Sequence, residues 1–142
     1  MLSRSATHAL RALAVLATLP AGSSLDTGAL AARVEAPANY LGKLLQTLRR
    51  EGILRSRKGL GGGFSLARPP DDLTLFDIVE PLEGLDRWQR CFLGRPACSA
   101  EHSCPVHAVW GSIRDRYLAF LRETRLTALS PTSPIPGSGE AG

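Results

Sequence analysis

The sequence predicts a mainly α-helical fold that carries one small β-hairpin. Apolar residues recur at helical spacing before residue 52 and again after residue 105. Between them, two short runs with strand character flank a glycine-rich stretch, which is typical of a hairpin. With 142 residues, the chain has room for one domain of ordinary size and its extensions.

Three helices are predicted before the hairpin. The first covers about residues 5–18, and the second is a short helix for which Asp26 is a plausible N-cap. The third covers about residues 38–51 and ends at Gly52. Its buried side is expected to carry Leu41, Leu44, Leu45 and Leu48. Two short helices joined by a tight turn make a helix-turn-helix.

The hairpin follows the third helix directly. Residues 53–56 and 64–67 are predicted to form its two strands, and residues 57–63 its glycine-rich turn. A hairpin in this position is the wing of a winged helix-turn-helix.

A short fourth helix is expected after the wing. It covers residues 75–82 and begins at Thr74, with Asp77 placed for a capping interaction. Pro81 is expected to kink or shorten its end. We therefore assign residues 1–84 to the winged helix-turn-helix domain.

The remainder of the chain divides into a loop, a helix and a tail. Residues 85–104 form a cysteine-rich loop, and residues 105–129 a long helix with Pro105 in its first turn. Residues 130–142 are of low complexity, which predicts a disordered tail. The apolar stripe of the long helix comprises Val106, Val109, Trp110, Ile113, Tyr117, Phe120 and Leu121. On so small a domain this stripe favours a dimerisation seam over a core.

Positive charge is concentrated in the middle of the chain, although the net charge is only +4. The basic band comprises Arg33, Lys43, Arg49, Arg50, Arg55, Arg57, Lys58 and Arg68. Such a band is the electrostatic footprint of a polyanion site, and a solvated helical face is the alternative. We see no secretory signal and no apolar run of about 18 residues, so we expect a cytoplasmic protein without membrane contact.

The third helix is the candidate recognition helix for double-stranded DNA. Its N-terminal residues would face base edges in the major groove. Asn39 can pair with adenine, and Lys43 with the acceptors of guanine. Tyr40 can either bind a phosphate or pack inward.

The wing supplies further candidate DNA contacts. Arg57 and Lys58 flank glycines, including Gly61, that would let the backbone approach DNA, and an arginine can enter a narrow minor groove. Alternatively, the glycines only permit the turn. A dinucleotide-binding loop is excluded because Phe64 takes the sixth position of the motif and a strand follows.

All three cysteines fall in the segment Cys91-x6-Cys98-x5-Cys104, and His107 follows. An iron-sulfur cluster, a structural zinc site and a metal-free thiol switch each fit this set, and spacing does not decide between them. His107 is the favoured imidazole ligand and His102 a weaker candidate. An odd number of cysteines in a reducing compartment disfavours a disulfide framework.

Taken together, these features resemble the iron-sulfur winged-helix regulators typified by IscR and NsrR. The resemblance rests on His8-Ala-Leu-Arg-Ala-Leu, Asn39-Tyr-Leu-x-Lys43, Gly61-Gly-Gly-Phe-Ser-Leu-Ala-Arg-Pro and the cysteine segment. It implies a homodimer on a pseudo-palindromic promoter site and three cysteine ligands to a cluster, for which we favour [2Fe-2S] over [4Fe-4S]. Cluster state would control DNA affinity.

The resemblance also bears on the fourth ligand. In NsrR-like members with an acidic ligand, that ligand falls on Thr7 of this sequence, which is a poor ligand, and His8 stands in the adjacent aromatic place. IscR-like members use a histidine at the position of His107. The recognition helix, with Asn39 and Lys43, is more similar to that of NsrR.

The sequence thus predicts a DNA-binding transcriptional regulator, with repression favoured. Its cluster would sense redox state, nitric oxide or iron-sulfur status. The alternative is a zinc-stabilised nucleic-acid or protein-interaction module without a sensing cluster. We expect no enzyme activity and no small-molecule substrate. A thiol redox enzyme in particular is disfavoured, because the chain has no C-x-x-C pair.

Overall fold

A computed structural model describes residues 2–95 and 104–129. The fold is mostly helical with one antiparallel hairpin, as the sequence predicted. Its helices and strands are α1 (Arg4–Leu16), α2 (Thr27–Val34), α3 (Ala38–Arg50), β1 (Leu54–Arg57), β2 (Gly63–Leu66), α4 (Leu75–Glu83) and α5 (His107–Glu123). Short 3-10 helices cover Pro70–Asp72, Leu85–Gln89 and Leu126–Leu129.

Helix α1 lies at the centre of the core. Its buried face is rich in alanine, which lets neighbouring helices approach closely, and it includes the fully buried Leu13. The core continues through Leu30 of α2, the leucines of α3 and Ile78 of α4. One apolar cluster therefore holds the helix-turn-helix against the helices that follow the wing.

The helix-turn-helix forms as predicted. Asp26 caps α2 by accepting a hydrogen bond from the Ala29 amide at 2.7 Å. Helix α3 buries Leu41, Leu45 and Leu48, and Leu44 is partly buried against the same core. After α3, Gly52 adopts φ +79°, a left-handed conformation that suits glycine and ends the helix.

The wing pairs Leu54 with Leu66 and Arg57 with Gly63 in an antiparallel register. Each strand lies within one residue of its predicted bounds. A bridge from Leu25 to Phe64 ties the wing to the segment before α2, through amide-to-carbonyl bonds of 2.7 and 3.1 Å. The wing is therefore anchored to the helix-turn-helix at its base.

Helix α4 begins with the predicted capping box. The Thr74 hydroxyl accepts from the Asp77 amide, and the Asp77 carboxylate accepts from the Thr74 amide, both at 3.1 Å. Pro81 does not shorten the helix, which continues to Glu83. The segment after α5 packs on this capped end, because the Leu75 amide donates to the Thr124 carbonyl at 2.9 Å.

Three predictions for the C-terminal part need correction. The long helix covers His107–Glu123 rather than residues 105–129. It ends there because the backbone is extended at Thr124 and the next residue, Arg125, pairs with Thr74. Pro105 precedes the helix instead of standing in its first turn. The segment 85–104 is not all loop, since Leu85–Gln89 is a 3-10 helix whose Leu85 is buried in the core.

The predicted apolar stripe of α5 divides between two faces. Leu121 is buried in the core. Val109, Ile113 and Phe120 are 67%, 51% and 53% exposed, respectively. Part of the stripe is therefore core, and part is an outward apolar face. Among the described residues, no helix is both long and apolar enough to cross a bilayer.

Candidate nucleic-acid interface and cysteine segment

Helix α3 presents a polar face opposite its buried leucines. Asn39 and Lys43 are exposed on this face, and Gln46 and Arg50 continue it towards the C-terminal end. Side chains three or four positions apart on a helix are neighbours, so these four residues form one stripe. The two predicted base-reading residues of α3 are thus side by side and accessible.

An open groove of about 650 Å³ runs along this stripe. It is lined by Thr27, Ala38, Asn39, Gly42, Lys43, Gln46, Thr47 and Arg50. Sequence reasoning missed Thr27, Gln46 and Thr47 as site residues and counted Arg50 only as charge. The spacing of Gln46 and Arg50 from Lys43 was the signal that could have found them.

The far end of the groove is organised by hydrogen bonds within α3. The Arg49 guanidinium donates to Gln46 Oε1 at 2.7 Å, and the Arg50 guanidinium donates to the Thr47 hydroxyl at 3.3 Å. With its oxygen engaged by Arg49, Gln46 retains its amide NH₂ as a donor. This end therefore presents donors, which suit phosphate oxygens and the acceptors of guanine.

Tyr40 points away from this groove. It is half-buried, and its hydroxyl forms a hydrogen bond with the Ser5 hydroxyl of α1. Its ring meets the His8 imidazole edge to face, with ring centroids 6.1 Å apart. Of the two roles that the sequence left open for Tyr40, this environment favours inward packing over a phosphate contact.

The tip of the wing is exposed. Arg57, Lys58 and Gly61 are all accessible, and Leu60 is fully exposed between them. The Gly61 carbonyl accepts a hydrogen bond from the Ser24 hydroxyl at 2.8 Å, which holds the tip to the loop before α2. An exposed leucine at the tip was not singled out from the sequence.

Two of the wing glycines are required by contacts within the protein. A Cβ at Gly62 would lie 2.2 Å from the Arg57 carbonyl oxygen. A Cβ at Gly63 would lie 2.2 Å from the Leu25 carbonyl oxygen. Gly62 and Gly63 are therefore required by contacts within the protein, whereas a Cβ at Gly61, where φ is +72°, would meet nothing within 4 Å.

Lys43, Arg57 and Lys58 have no acidic partners among the described residues. Within the described part of the chain, ion pairs involve Arg68 with Asp72 and Asp77 and Arg114 with its neighbour, but none of Lys43, Arg57 or Lys58. Their charge is therefore available to a polyanion.

The structure describes part of the predicted ligand set. Cys91 is half-buried after the 3-10 helix, Cys104 is 4% exposed just before α5, and His107 is half-buried in the first turn of α5. Cys98 and His102 lie outside the described residues. Among those that are described, no three His, Cys, Asp or Glu side chains form a group that could hold a metal.

The chemistry of the donor set nevertheless fits a soft metal centre. Thiolates with one imidazole are ligands of both iron-sulfur clusters and zinc. The His107 amide donates to the Cys104 carbonyl at 3.0 Å, so the backbone keeps these two residues on one turn. A site with three side-chain ligands here needs a contribution from residues 96–103.

An aromatic stack joins the cysteine segment to α5. Trp88 stacks on Trp110 with centroids 5.6 Å apart and lies 4.8 Å from the ring of Tyr117. Phe92, next to Cys91, lies 5.3 Å from Trp110. The chain has two tryptophans, and both are used here. This stack was not anticipated, because it depends on how the 3-10 helix packs on α5.

Thr7 and His8, which stand where NsrR-like members carry their acidic fourth ligand and the adjacent aromatic residue, lie in α1, far in sequence from the cysteines. Thr7 is exposed, and its hydroxyl donates to the Ser3 carbonyl at 3.0 Å within α1. His8 packs on Tyr40. The Thr7 hydroxyl is thus engaged within its own helix.

In sequence, residues 2–132 match the Rrf2 protein family, which is described as an iron-dependent transcriptional regulator. YwgB of Bacillus subtilis, which is named as an HTH-type transcriptional regulator, is 33% identical over 120 residues, covering 84% of this chain and 77% of YwgB. The HTH-type transcriptional regulator IscR of Photorhabdus laumondii is 30% identical over 91 residues, covering 64% of this chain and 55% of IscR.

Solved structures share the fold. CymR of B. subtilis, described as the global cysteine regulator, superposes with a TM-score of 0.76 at 26% identity, covering 94% of this chain and 98% of CymR. IscR of T. potens superposes with a TM-score of 0.71 at 24% identity, covering 91% of this chain and 85% of that chain. The second likeness concerns the fold alone.

Proposed function

Because the chain belongs to the Rrf2 family of DNA-binding transcriptional regulators and is not an enzyme, we propose that it acts as a homodimeric repressor on a pseudo-palindromic promoter site. The observation that carries this proposal is the accessible stripe of α3, on which Asn39 and Lys43 lie side by side and line an open groove. A helix of this kind enters the major groove of DNA.

Base reading would come from the first turns of α3. Asn39 can donate to and accept from the N7 and N6 edge of adenine, whereas Lys43 can donate to the O6 and N7 acceptors of guanine. Gly42 lies in the same groove and carries no side chain, so it leaves room for a base or methyl group there.

The wing would supply affinity that is independent of sequence. Arg57 and Lys58 are exposed and free of acidic partners within the described residues, so each can neutralise one phosphate and release a counterion. Gly61 allows the backbone at the wing tip to approach the DNA. Ser24 supports this by holding the Gly61 carbonyl.

The outward apolar face of α5 supports dimerisation. Val106, Val109, Ile113 and Phe120 recur along one side of the helix and are all exposed. A monomer rarely leaves so continuous an apolar surface in water, and a second copy of the same helix would cover it. A pseudo-palindromic site would require the two α3 helices of this dimer to lie about 34 Å, one DNA turn, apart.

We further propose that the cysteine segment binds an iron-sulfur cluster, favoured as [2Fe-2S], through Cys91, Cys98, Cys104 and His107. When bound, such a cluster supplies a centre that gains or loses an electron or reacts with nitric oxide, and so reports cellular conditions. Cys104 and His107 would fix the start of α5 to this centre. Cys91 would fix the opposite side, next to the aromatic stack.

The contacts of α5 support a link from this segment to DNA binding. Trp110 and Tyr117 of α5 hold Trp88, and the chain after α5 pairs with Thr74 at the start of α4. A shift of α5 would therefore displace the core residues on which α3 packs. In a dimer, it would change the distance between the two recognition helices. Such coupling is a differential stabilisation of the DNA-competent state.

A metal-free thiol switch is the second candidate. A thiol switch needs only one or two of the cysteines, and Cys91 is half-buried, so solvent can reach its thiol. A zinc-stabilised module is the third interpretation of the same cysteines. Purification without oxygen, followed by a visible spectrum and iron, sulfide and zinc analyses, separates them.

A brown protein with iron and sulfide that bleaches in a Cys98→Ala variant supports the cluster. A colourless zinc protein would contradict the sensing cluster, and a colourless metal-free protein would favour the thiol switch. DNA binding itself is tested by selection of duplexes from random sequence with the full-length protein. Failure to enrich any sequence would contradict the regulator role.

A further inference from the structure

The first turn of α3 carries Asn39. Unlike the first turns of α1, α2 and α4, it has no side-chain hydrogen bond that caps it. Pro37 occupies the N-cap position, and no side chain caps this turn. Proline has no side-chain oxygen to accept a hydrogen bond from the first amides of the helix. In contrast, Ser3, Asp26 and Thr74 cap α1, α2 and α4 through their side-chain oxygens.

A contact from α1 reaches this uncapped turn. Tyr40 belongs to the first turn of α3, and its hydroxyl is hydrogen-bonded to the hydroxyl of Ser5 in α1. The Tyr40 ring also packs against His8, one turn further along α1, with an interplanar angle of 84°. Both groups of α1 are partly buried, so water competes poorly for these contacts.

We propose that Tyr40 is a positioning residue for DNA recognition: the bond to Ser5 fixes the first turn of α3 against α1 and so determines where Asn39 meets the bases. The inference rests on the proposed function. Asn39 directly precedes Tyr40 in the helix, so any rotation of that turn moves its amide relative to a base edge.

This role predicts a specific kind of defect. A bidentate contact to a base depends on distance and angle, whereas contacts of long basic side chains with phosphates tolerate small shifts. Loss of the Ser5 bond should therefore reduce the preference for the selected sequence. Affinity for unrelated DNA, which depends on Arg57 and Lys58, should stay the same.

The test compares Tyr40→Phe, Ser5→Ala and the double variant in the full-length protein. For each variant, binding to a duplex selected by the wild type is measured in competition with a scrambled duplex of equal length at fixed salt. Because one hydrogen bond is removed in every case, we expect each to lose about fivefold in preference and the double variant to lose no more. Tyr40→Phe keeps the ring on His8, so the fold is retained.

A matched control lies on the same helix. Thr7→Ala removes a hydroxyl that bonds only within α1, and it should keep wild-type preference. Equal weakening of both duplexes by Tyr40→Phe, with no effect of Ser5→Ala, would show that Tyr40 contacts DNA and would overturn the inference. Additive losses in the double variant would also overturn it. If the wild type selects no duplex, the proposed function fails instead.

Discussion

Replacing Gly63 with alanine should detach the base of the wing. The new Cβ would lie 2.2 Å from the Leu25 carbonyl oxygen, at a φ of +137° that L-residues rarely adopt. The backbone strain costs about 2 kcal/mol. The two hydrogen bonds between Leu25 and Phe64 would also be lost, at about 1 kcal/mol each. We therefore expect the free energy of unfolding to fall by about 4 kcal/mol.

Urea unfolding measures this loss. With a slope of about 1.5 kcal/mol per molar, the midpoint of Gly63→Ala should fall by roughly 2.7 M. Gly61→Ala is the matched control, because φ is also positive there but a Cβ meets nothing within 4 Å. It should cost only about 1 kcal/mol. Equal midpoint shifts for the two variants would refute the argument that the Leu25 contact anchors the wing.

Four further variants test other parts of the account. Thr74→Ala removes half of a capping box and should lower the free energy of unfolding in urea by about 1 kcal/mol. Leu121→Ala should lower the free energy of unfolding by about 3 kcal/mol. Ile113→Ala should chiefly weaken dimerisation, measured by sedimentation equilibrium. If Leu121→Ala weakened dimerisation and Ile113→Ala destabilised the fold, the assignment of α5 to two faces would be wrong. Arg57→Gln should reduce the slope of log affinity against log salt by about 0.9, and an unchanged slope would remove Arg57 from the DNA contacts.

Elements set by local chemistry could be predicted from the sequence. Asp26 and the Thr74–Asp77 pair cap their helices as expected, because a cap depends on a few adjacent residues. Gly52 ends α3 for the same reason. The wing hairpin was predicted from two short strands around a glycine-rich turn.

Features that depend on tertiary contacts could not be predicted in this way. The end of α5 at Glu123 is determined by pairing of the following chain with Thr74, which is remote in sequence. Periodicity identified the apolar residues of α5 but could not divide them between Leu121 in the core and Ile113 at the surface. The stack of Trp88 on Trp110 likewise joins residues from separate segments.

The candidate site shows the same division. Asn39 and Lys43 lie together on the accessible face of α3, because helical spacing alone puts them there. Tyr40 is adjacent in sequence to Asn39 yet points to α1, since its direction depends on the partner Ser5. The ligand assignment of the cysteines stays a prediction, because it depends on residues 96–103.

The central claim is that the state of the cysteine segment controls DNA affinity. The most direct test measures the affinity of the anaerobically purified wild type and of Cys91→Ser for one selected duplex at fixed salt. Cys91 is only half-buried, so serine is tolerated there. The account predicts affinities that differ by roughly tenfold or more. Equal affinities would contradict it and leave a DNA-binding protein whose cysteines have no regulatory role.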